Sequence, residues 1–169
     1  IERISLIQKL ERRTFGTNSK DTRKIFLSEL KGALNFGRDV IKRRFLNNEI
    51  SGVEVIQEIS FLHDQLIRVI FDFTSNNIFN YGVKTKGDKL SVVALGGFGR
   101  QELSPESDLD LLFLLPYKHT PFTEQLVEYI LYILWDLGLK VGHAVRSIDE
   151  NLRQAKNDMT ILTSLLESR

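Results

Sequence analysis

The chain has 169 residues, of which 42% are hydrophobic, so it is long enough to bury a core in one domain, or in one domain with a helical extension. Its 23 Lys and Arg residues nearly balance 22 Asp and Glu residues, which excludes nucleic-acid binding driven by bulk positive charge, and we expect no nucleic-acid partner. Cysteine is absent, which excludes disulfides and thiolate metal sites and favours a cytoplasmic protein.

No segment of the chain predicts a membrane partner. The first residues are periodic and charged, unlike a signal peptide. The longest apolar run, residues 109–116, is too short to cross a bilayer and contains Asp110. Because the sequence starts without Met and stops inside a helical pattern, we expect it to be a piece of a longer protein.

The first half of the chain is predicted to be helical, and we assign residues 1–86 to an N-terminal helical region. Apolar residues recur at helical spacing over residues 19–48 and again over residues 51–79. Ser19 or Asp21 is expected to cap the first of these helices. An Asn pair and residues 81–89 supply the break after the second. Two antiparallel helices are the simplest arrangement.

The character of the sequence changes at Leu90. Short apolar runs bounded by Gly or Pro predict three strands, at residues 90–95, 109–115 and 139–147. Helical patterns predict three further helices, at residues 121–138, 147–157 and 160–168. The order of these elements predicts an α+β fold, with a small sheet and flanking helices over residues 87–169 and a helical lobe in front of it.

Two carboxylates lie at the start of the second predicted strand. Because side chains alternate along a strand, Asp108 and Asp110 should point to one face. Leu109, Leu111 and Phe113 should point to the core. Paired carboxylates repel each other, and a divalent cation such as Mg²⁺, held together with substrate phosphates, is the simplest compensation. The competing interpretation is that the two acids are solvated and that their charge discourages another strand from pairing with this strand at a sheet edge.

A glycine pair, Gly96 and Gly97, follows the first predicted strand. Taken alone, such a pair is most often a turn. Glycines at a strand end also let the backbone approach a ligand closely and present N–H groups. A triphosphate held by those amides would lie beside the metal, so this order of features predicts nucleotidyl transfer.

Three segments carry a resemblance to a known family: GGFGRQELSPESDLDLL, LWDLGLKVGHAVRSIDE and DMTILTSLLESR. They resemble the N-terminal nucleotidyltransferase domain of the bacterial bifunctional PII uridylyltransferase/uridylyl-removing enzymes. The resemblance runs from about Leu90 to Arg169, and more loosely upstream. It implies a polymerase-β-like nucleotidyltransferase fold with a small mixed sheet.

The same resemblance implies an activity and its partners. Members of that family transfer UMP from UTP to a tyrosine of the PII nitrogen-regulatory protein, with Mg²⁺ or Mn²⁺, under control of glutamine. A separate HD domain removes UMP and ACT domains sense glutamine, so glutamine would act through domains outside this chain.

By motif match, Asp108 and Asp110 are implied to be the catalytic metal ligands. The implied nucleotide-binding residues are Gly96, Gly97, Gly99, Arg100, Ser107 and Arg146. Two roles stay open for Arg100, which either neutralises phosphate or pins the loop through Glu102. We favour pinning, because an Arg-x-Glu pair in a tight loop is commonly structural.

A third carboxylate, which this fold usually adds from a neighbouring strand, is missing from the third predicted strand. The polar members of that strand are His143 and Arg146. His143 is a candidate to contact the nucleotide or the metal, although a lone strand histidine is more often structural, and Arg146 is a candidate to bind phosphate. The nearby acidic candidates are Asp149, Asp158 and Glu167, or none of them, and Asp149 is expected at a helix N-cap.

Two further functions therefore stay open. One is another nucleotidyltransferase of the same fold with a different acceptor. The other is a regulatory domain that binds a nucleotide without turnover.

Other motifs are assigned to structure. The His63-Asp64 dipeptide resembles part of an HD phosphohydrolase site, but such a site needs more ligands than the 3 histidines of this chain supply. Tyr129, Tyr132 and Trp135 fall at helical spacing and are expected in the core.

Overall fold

A computed structural model gives the structure of the protein and describes residues 1–80 and 85–169. A helical lobe precedes a three-stranded mixed sheet with flanking helices, which confirms the predicted α+β class. The helices and strands are, in chain order, α1 Arg3–Thr14, α2 Ser19–Leu46, α3 Gly52–Phe73, β1 Ser91–Ala94, α4 Gly96–Gly99, β2 Leu109–Leu115, α5 Pro121–Asp136, β3 Val141–Ser147, α6 Ile148–Asn157 and α7 Met159–Leu166.

The helical lobe contains α1 and the two longer helices that periodicity predicts, α2 and α3. Helices α2 and α3 are antiparallel: Arg44 pairs with Glu58 near the turn that joins them, and Phe26 packs on Phe73 at the other end. Two basic side chains of α1 form ion pairs with Glu29 of α2. Helix α1 is short and buries only two leucines, Leu6 and Leu10.

The start of α2 differs from the sequence prediction by one residue. The N-cap is Asn18, whose extended backbone lets its side chain accept a hydrogen bond from the Asp21 N–H at 2.9 Å. The expectation that Ser19 or Asp21 caps this helix is therefore wrong. Both residues lie inside the first turn, beyond the position from which a side chain can cap it.

Asn18→Ala is expected to lower the free energy of unfolding by about 1 kcal/mol, because a helix N–H loses its acceptor. Ser19→Ala is the matched control, since Ser19 is the first residue of the helix and not its cap. Urea denaturation of both variants measures the difference. An equal loss in the two variants would show that Asn18 has no special role.

The second helical segment continues past α3 through a π-helical turn at Thr74–Ile78. The break predicted at residues 81–89 falls partly outside the described residues, and its described part contains a 3₁₀ turn at Lys86–Asp88. Within the parts of the chain that the structure describes, no helix has the length and apolar content needed to cross a membrane.

The central strand of the sheet is β2, which is antiparallel to β1 and parallel to β3. Leu109, Leu111 and Phe113 of β2 are buried, as alternation predicts. Helix α5 connects β2 to β3, because parallel neighbours need a crossover. The register places Ala94, at the end of β1, opposite Leu111, and Gly142 opposite Asp110. The end of β1 and the starts of β2 and β3 therefore meet at one edge of the sheet.

His63 is a buried residue of the helical lobe, as the sequence suggests. Its Nδ1 lies 2.8 Å from the carbonyl oxygen of Ile59, and its Nε2 lies 3.4 Å from the Arg38 guanidinium. The proton is therefore assigned to Nδ1, which donates to Ile59, while Nε2 accepts from Arg38. Burial lowers the pKa of His63 below its ordinary value.

This lowered pKa predicts a loss of stability in mild acid. The unfolded chain binds a proton at His63 more readily than the folded chain, so the free energy of unfolding falls as the pH drops below about 6.5. His63→Gln should flatten the slope of that free energy against pH between about pH 5 and 7. His119→Gln, at an exposed histidine, is the control variant. A parental slope in His63→Gln would contradict the assignment of a neutral, buried imidazole.

Candidate active site

The start of β2 carries two neighbouring acidic side chains. Asp110 is the second residue of β2, and Asp108 immediately precedes the strand. Asp110 is exposed on the strand, but partial desolvation of its carboxyl raises its pKa, and repulsion from Asp108 raises it further. Among the residues that the structure describes, neither carboxylate forms an ion pair with Lys or Arg. Two neighbouring hard oxygen ligands short of positive charge fit a divalent cation such as Mg²⁺.

Two glycines flank the Asp110 carboxylate. A Cβ atom added to Gly142 of β3 would lie 2.6 Å from Oδ1, and one added to Gly96 would lie 3.3 Å from Oδ2. Gly96 also has a φ of +55°, a left-handed conformation that residues with a side chain rarely adopt. Glycine on both sides thus leaves room for the carboxylate between β3 and the end of β1. The sequence interpretation gave no role to Gly142, because its register against Asp110 is set by tertiary pairing.

The glycine pair begins a single helical turn, α4. The Gly99 N–H donates to the Leu95 carbonyl at 2.9 Å, and the Glu102 N–H donates to the Gly97 carbonyl at 2.8 Å. The first N–H groups of a helical turn have no acceptor within the turn. The Gly96 and Gly97 N–H groups therefore have no helical acceptor within α4.

Arg100 follows this turn and is held by two carboxylates. Its Nε donates to Glu102 at 3.2 Å, which is the ion pair expected from the sequence. Its Nη1 donates to Glu167 at 2.5 Å, a contact that sequence spacing did not predict. The hydrogen bond to Glu102 contributes most to raising the pKa of Arg100, and the contact with Glu167 raises it further. The contacts favour the pinning role of Arg100 over direct neutralisation of phosphate.

A cleft of about 290 Å³ opens beside Asp110 on this face of the sheet. Of the candidate residues, Gly96, Asp110 and Arg146 line it, and Thr160 and Ser164 of α7 also line it. His143 borders it too, although alternation along β3 puts its ring on the other face. Arg146 shares the face of Gly142 by alternation along β3, and its guanidinium donates to Asn151 at 3.2 Å. The structure thus brings one carboxylate, one glycine of the turn and one cation to a single cleft.

The other predicted residues lie outside the lining of this cleft. They are Gly97, Gly99, Arg100, Ser107 and Asp108. Ser107 is exposed in the loop before Asp108, where its N–H donates to the Ser104 carbonyl at 3.1 Å.

None of the acidic candidates completes a three-carboxylate site. In residues 1–80 and 85–169, no group of three or more His, Asp or Glu side chains is arranged to hold a metal. Asp158 caps α7, and Glu167 pairs with Arg100. Asp149 lies in the first turn of α6, whose N-cap is Ser147, so the expectation that Asp149 is the cap is wrong.

Two of the three aromatic residues expected in the core, Tyr132 and Trp135, are exposed, whereas Tyr129 packs against the core. Tyr132 and Trp135 are 46% and 45% exposed, while Tyr129 is partly buried. Helical spacing places these rings on one side of the helix but does not say which side packs, and the sheet side is taken by aliphatic residues. The His143 ring lies 6.1 Å from the Trp135 ring and belongs to the face of β3 opposite Asp110.

Residues 77–162 match the family model described as nucleotidyltransferase domain. This match spans more than half of the chain, and the chain belongs to the nucleotidyltransferase domain family. The family confirms the polymerase-β-like fold and places the chain among enzymes that transfer nucleotides, whose domains generally use divalent metals.

Curated relatives confirm the resemblance found in the sequence. The chain is 54% identical over 153 residues to a Rhodospirillum rubrum protein named bifunctional uridylyltransferase/uridylyl-removing enzyme, a match that covers 90% of this chain and 16% of that protein. Proteins of the same name from Azospirillum brasilense and Caulobacter vibrioides are 52% and 48% identical, over 91% and 90% of this chain and 16% of each relative. The chain therefore spans about a sixth of the length of these relatives.

Proposed function

We propose that this chain is the transferase part of a uridylyltransferase that moves UMP from UTP to a tyrosine of the PII nitrogen-regulatory protein. The observation that carries the proposal is the Asp108–Asp110 pair, which has no Lys or Arg partner among the described residues and whose Asp110 carboxylate lies between two glycines. The transfer of a uridylyl group is supported by the names of the relatives, and the choice of UTP and PII by the motif resemblance. Residues 87–169 carry the chemistry in this proposal, and residues 1–86 support it. Glutamine acts through other parts of the protein.

Each proposed site residue has a physical role. Asp108 and Asp110 hold Mg²⁺ or Mn²⁺, which when bound stabilises the negative charge that develops on the phosphate oxygens. The amides of Gly96 and Gly97 bind the triphosphate, since backbone N–H groups suit phosphate oxygens. Arg146 supplies positive charge to the same cleft.

Three further residues act around the turn. Gly99 lets the turn close tightly, Arg100 fixes it through Glu102, and Ser107 offers a hydroxyl in the loop before Asp108. Their contribution is to keep the phosphate-binding amides and the carboxylates in register.

The test is a labelling reaction with the intact protein, radiolabelled UTP and PII. Label is expected on PII in the presence of Mg²⁺, and it should be lost when the acceptor tyrosine is replaced by Phe or when EDTA removes the metal. Label on a different acceptor, with PII unmodified, would overturn the choice of PII but keep nucleotidyl transfer.

A second function, nucleotide binding without turnover, is favoured by one observation. The described residues provide no third carboxylate beside Asp108 and Asp110, and in this fold a third carboxylate helps to deprotonate the nucleophile. UTP that binds in calorimetry but labels neither PII nor any other acceptor would support this function over transfer.

A further inference from the structure

Residues 167–169, which we call the clasp, follow α7 and lie against the glycine turn. The Arg169 N–H donates to the Ala94 carbonyl at 3.0 Å, and the Ala94 N–H donates to the Arg169 carbonyl at 2.8 Å. This reciprocal pair is typical of neighbouring antiparallel strands. Because Ala94 is the last residue of β1, the clasp is fixed to the sheet two residues before Gly96.

The Arg169 side chain joins the helical lobe to the same turn. Its Nη1 donates to Asp64 of α3 at 2.7 Å, and its Nη2 donates to the Phe98 carbonyl at 3.3 Å. The guanidinium also lies 5.6 Å from the centroid of the Phe98 ring. The Asp64 side chain is only 16% exposed, so water screens this ion pair less than it screens a surface pair. Asp64, half of the His63-Asp64 dipeptide, is thus an anchor for Arg169.

Glu167 holds the other side of the turn. Its carboxylate accepts the hydrogen bond from Arg100, and its carbonyl oxygen occupies the space that a Cβ atom on Gly99 would need. Gly99 is therefore required for the close approach of the clasp. That role follows from backbone packing and needs no contact with phosphate.

We propose that the clasp, anchored to α3 through Asp64, holds the glycine turn in the arrangement in which Gly96 faces Asp110. Asp64, Glu167 and Arg169 are positioning residues, since none of the three lines the cleft beside Asp110. The effect expected on nucleotide affinity rests on the proposed function, whereas the effect on the turn does not.

The experiment compares Arg169→Gln with Arg68→Gln in the intact protein. Arg68 donates to the other oxygen of Asp64 at 2.8 Å, so each variant removes one hydrogen-bonded cation from the same carboxylate. Arg68 belongs to α3 itself, and its loss leaves the link between α3 and the turn in place. Arg169→Gln breaks that link, and Arg169→Lys should restore it in part, because lysine keeps the charge but lacks the planar fork of arginine.

Hydrogen exchange of the amides in residues 96–102 is the first readout. Arg169→Gln should exchange about tenfold faster than the parent, because a charge-assisted hydrogen bond that closes the turn is lost, and Arg68→Gln should match the parent. If Arg169→Gln does not fold, Asp64→Asn removes the same anchor from the helical side. Equal exchange in the parent and the anchor variants would overturn the clasp.

UTP affinity, measured by calorimetry, is the second readout. It should weaken about tenfold in Arg169→Gln and stay parental in Arg68→Gln. Parental UTP affinity in both Arg169→Gln and Arg68→Gln, together with fast amide exchange in Arg169→Gln, would overturn the positioning role. A parent that binds no UTP would overturn the proposed function. The difference in hydrogen exchange between Arg169→Gln and Arg68→Gln would still decide for or against the clasp.

Discussion

Asp110→Asn is expected to reduce nucleotidyl transfer by about a hundredfold or more while the fold is retained or becomes more stable. Activity falls because the amide oxygen is neutral and binds a divalent cation poorly. Stability rises because burial and Asp108 raise the pKa of Asp110, so the ionised carboxylate disfavours the folded state at neutral pH. The stability advantage of the variant should be complete above the folded pKa and should vanish as the pH falls to the ordinary value of 3.8.

Two measurements on metal-free and metal-loaded protein check this prediction. Thermal unfolding without metal should show a higher midpoint for Asp110→Asn, and a transferase assay with metal should show the loss of turnover. Asp108→Asn should lose activity in the same way. Glu106→Gln, at an exposed carboxylate two residues before Asp108, is the control and should keep parental activity. Parental turnover in Asp110→Asn would exclude Asp110 as a metal ligand.

Gly142→Ala is expected to lower turnover by about a hundredfold without unfolding the protein, because small displacements of a catalytic group have effects of that size. The added Cβ atom would lie 2.6 Å from Oδ1 of Asp110, closer than two such atoms can approach. The carboxylate must move, and among the described residues beyond the two chain neighbours of Gly142 no backbone atom lies within 4 Å of the new Cβ to oppose its insertion. The damage should therefore be confined to the position of Asp110.

The matched control is Gly32→Ala, since a Cβ atom at Gly32 in α2 meets nothing within 4 Å. Alanine at a helix position is expected to raise the free energy of unfolding by up to about 1 kcal/mol and to leave turnover unchanged. Steady-state kinetics and urea denaturation of both variants provide the comparison. Parental turnover in Gly142→Ala would show that the carboxylate does not need the space that glycine leaves.

The strands and the acidic pair were predictable because their determinants are local. Residues 109–115 form an apolar run that only Asp110 interrupts. The observed β2 has the same bounds. One exposed charged residue at the start of an otherwise buried strand departs from the apolar pattern and so points to a site. Gly138, at the predicted end of α5, likewise adopts the left-handed conformation of a helix C-terminus, with a φ of +78°.

The contacts that complete the candidate site were not predictable because they depend on register and on distant pairing. Nothing near Gly142 in the sequence says that it lies opposite Asp110. Glu167 and Arg169 meet Arg100 and Asp64 across 67 and 105 residues, respectively. Side-chain spacing along one helix, as for Tyr132, also leaves open which side of the helix is packed.

The most direct test of the nucleotide site is anomalous diffraction from crystals of the protein grown with Mn²⁺ and a non-hydrolysable UTP analogue. The predicted result is a Mn²⁺ peak in contact with the carboxylates of Asp108 and Asp110, with the phosphates of the analogue at the amides of Gly96 and Gly97. A bound analogue whose metal touches neither carboxylate would contradict the assignment of this edge of the sheet as the active site.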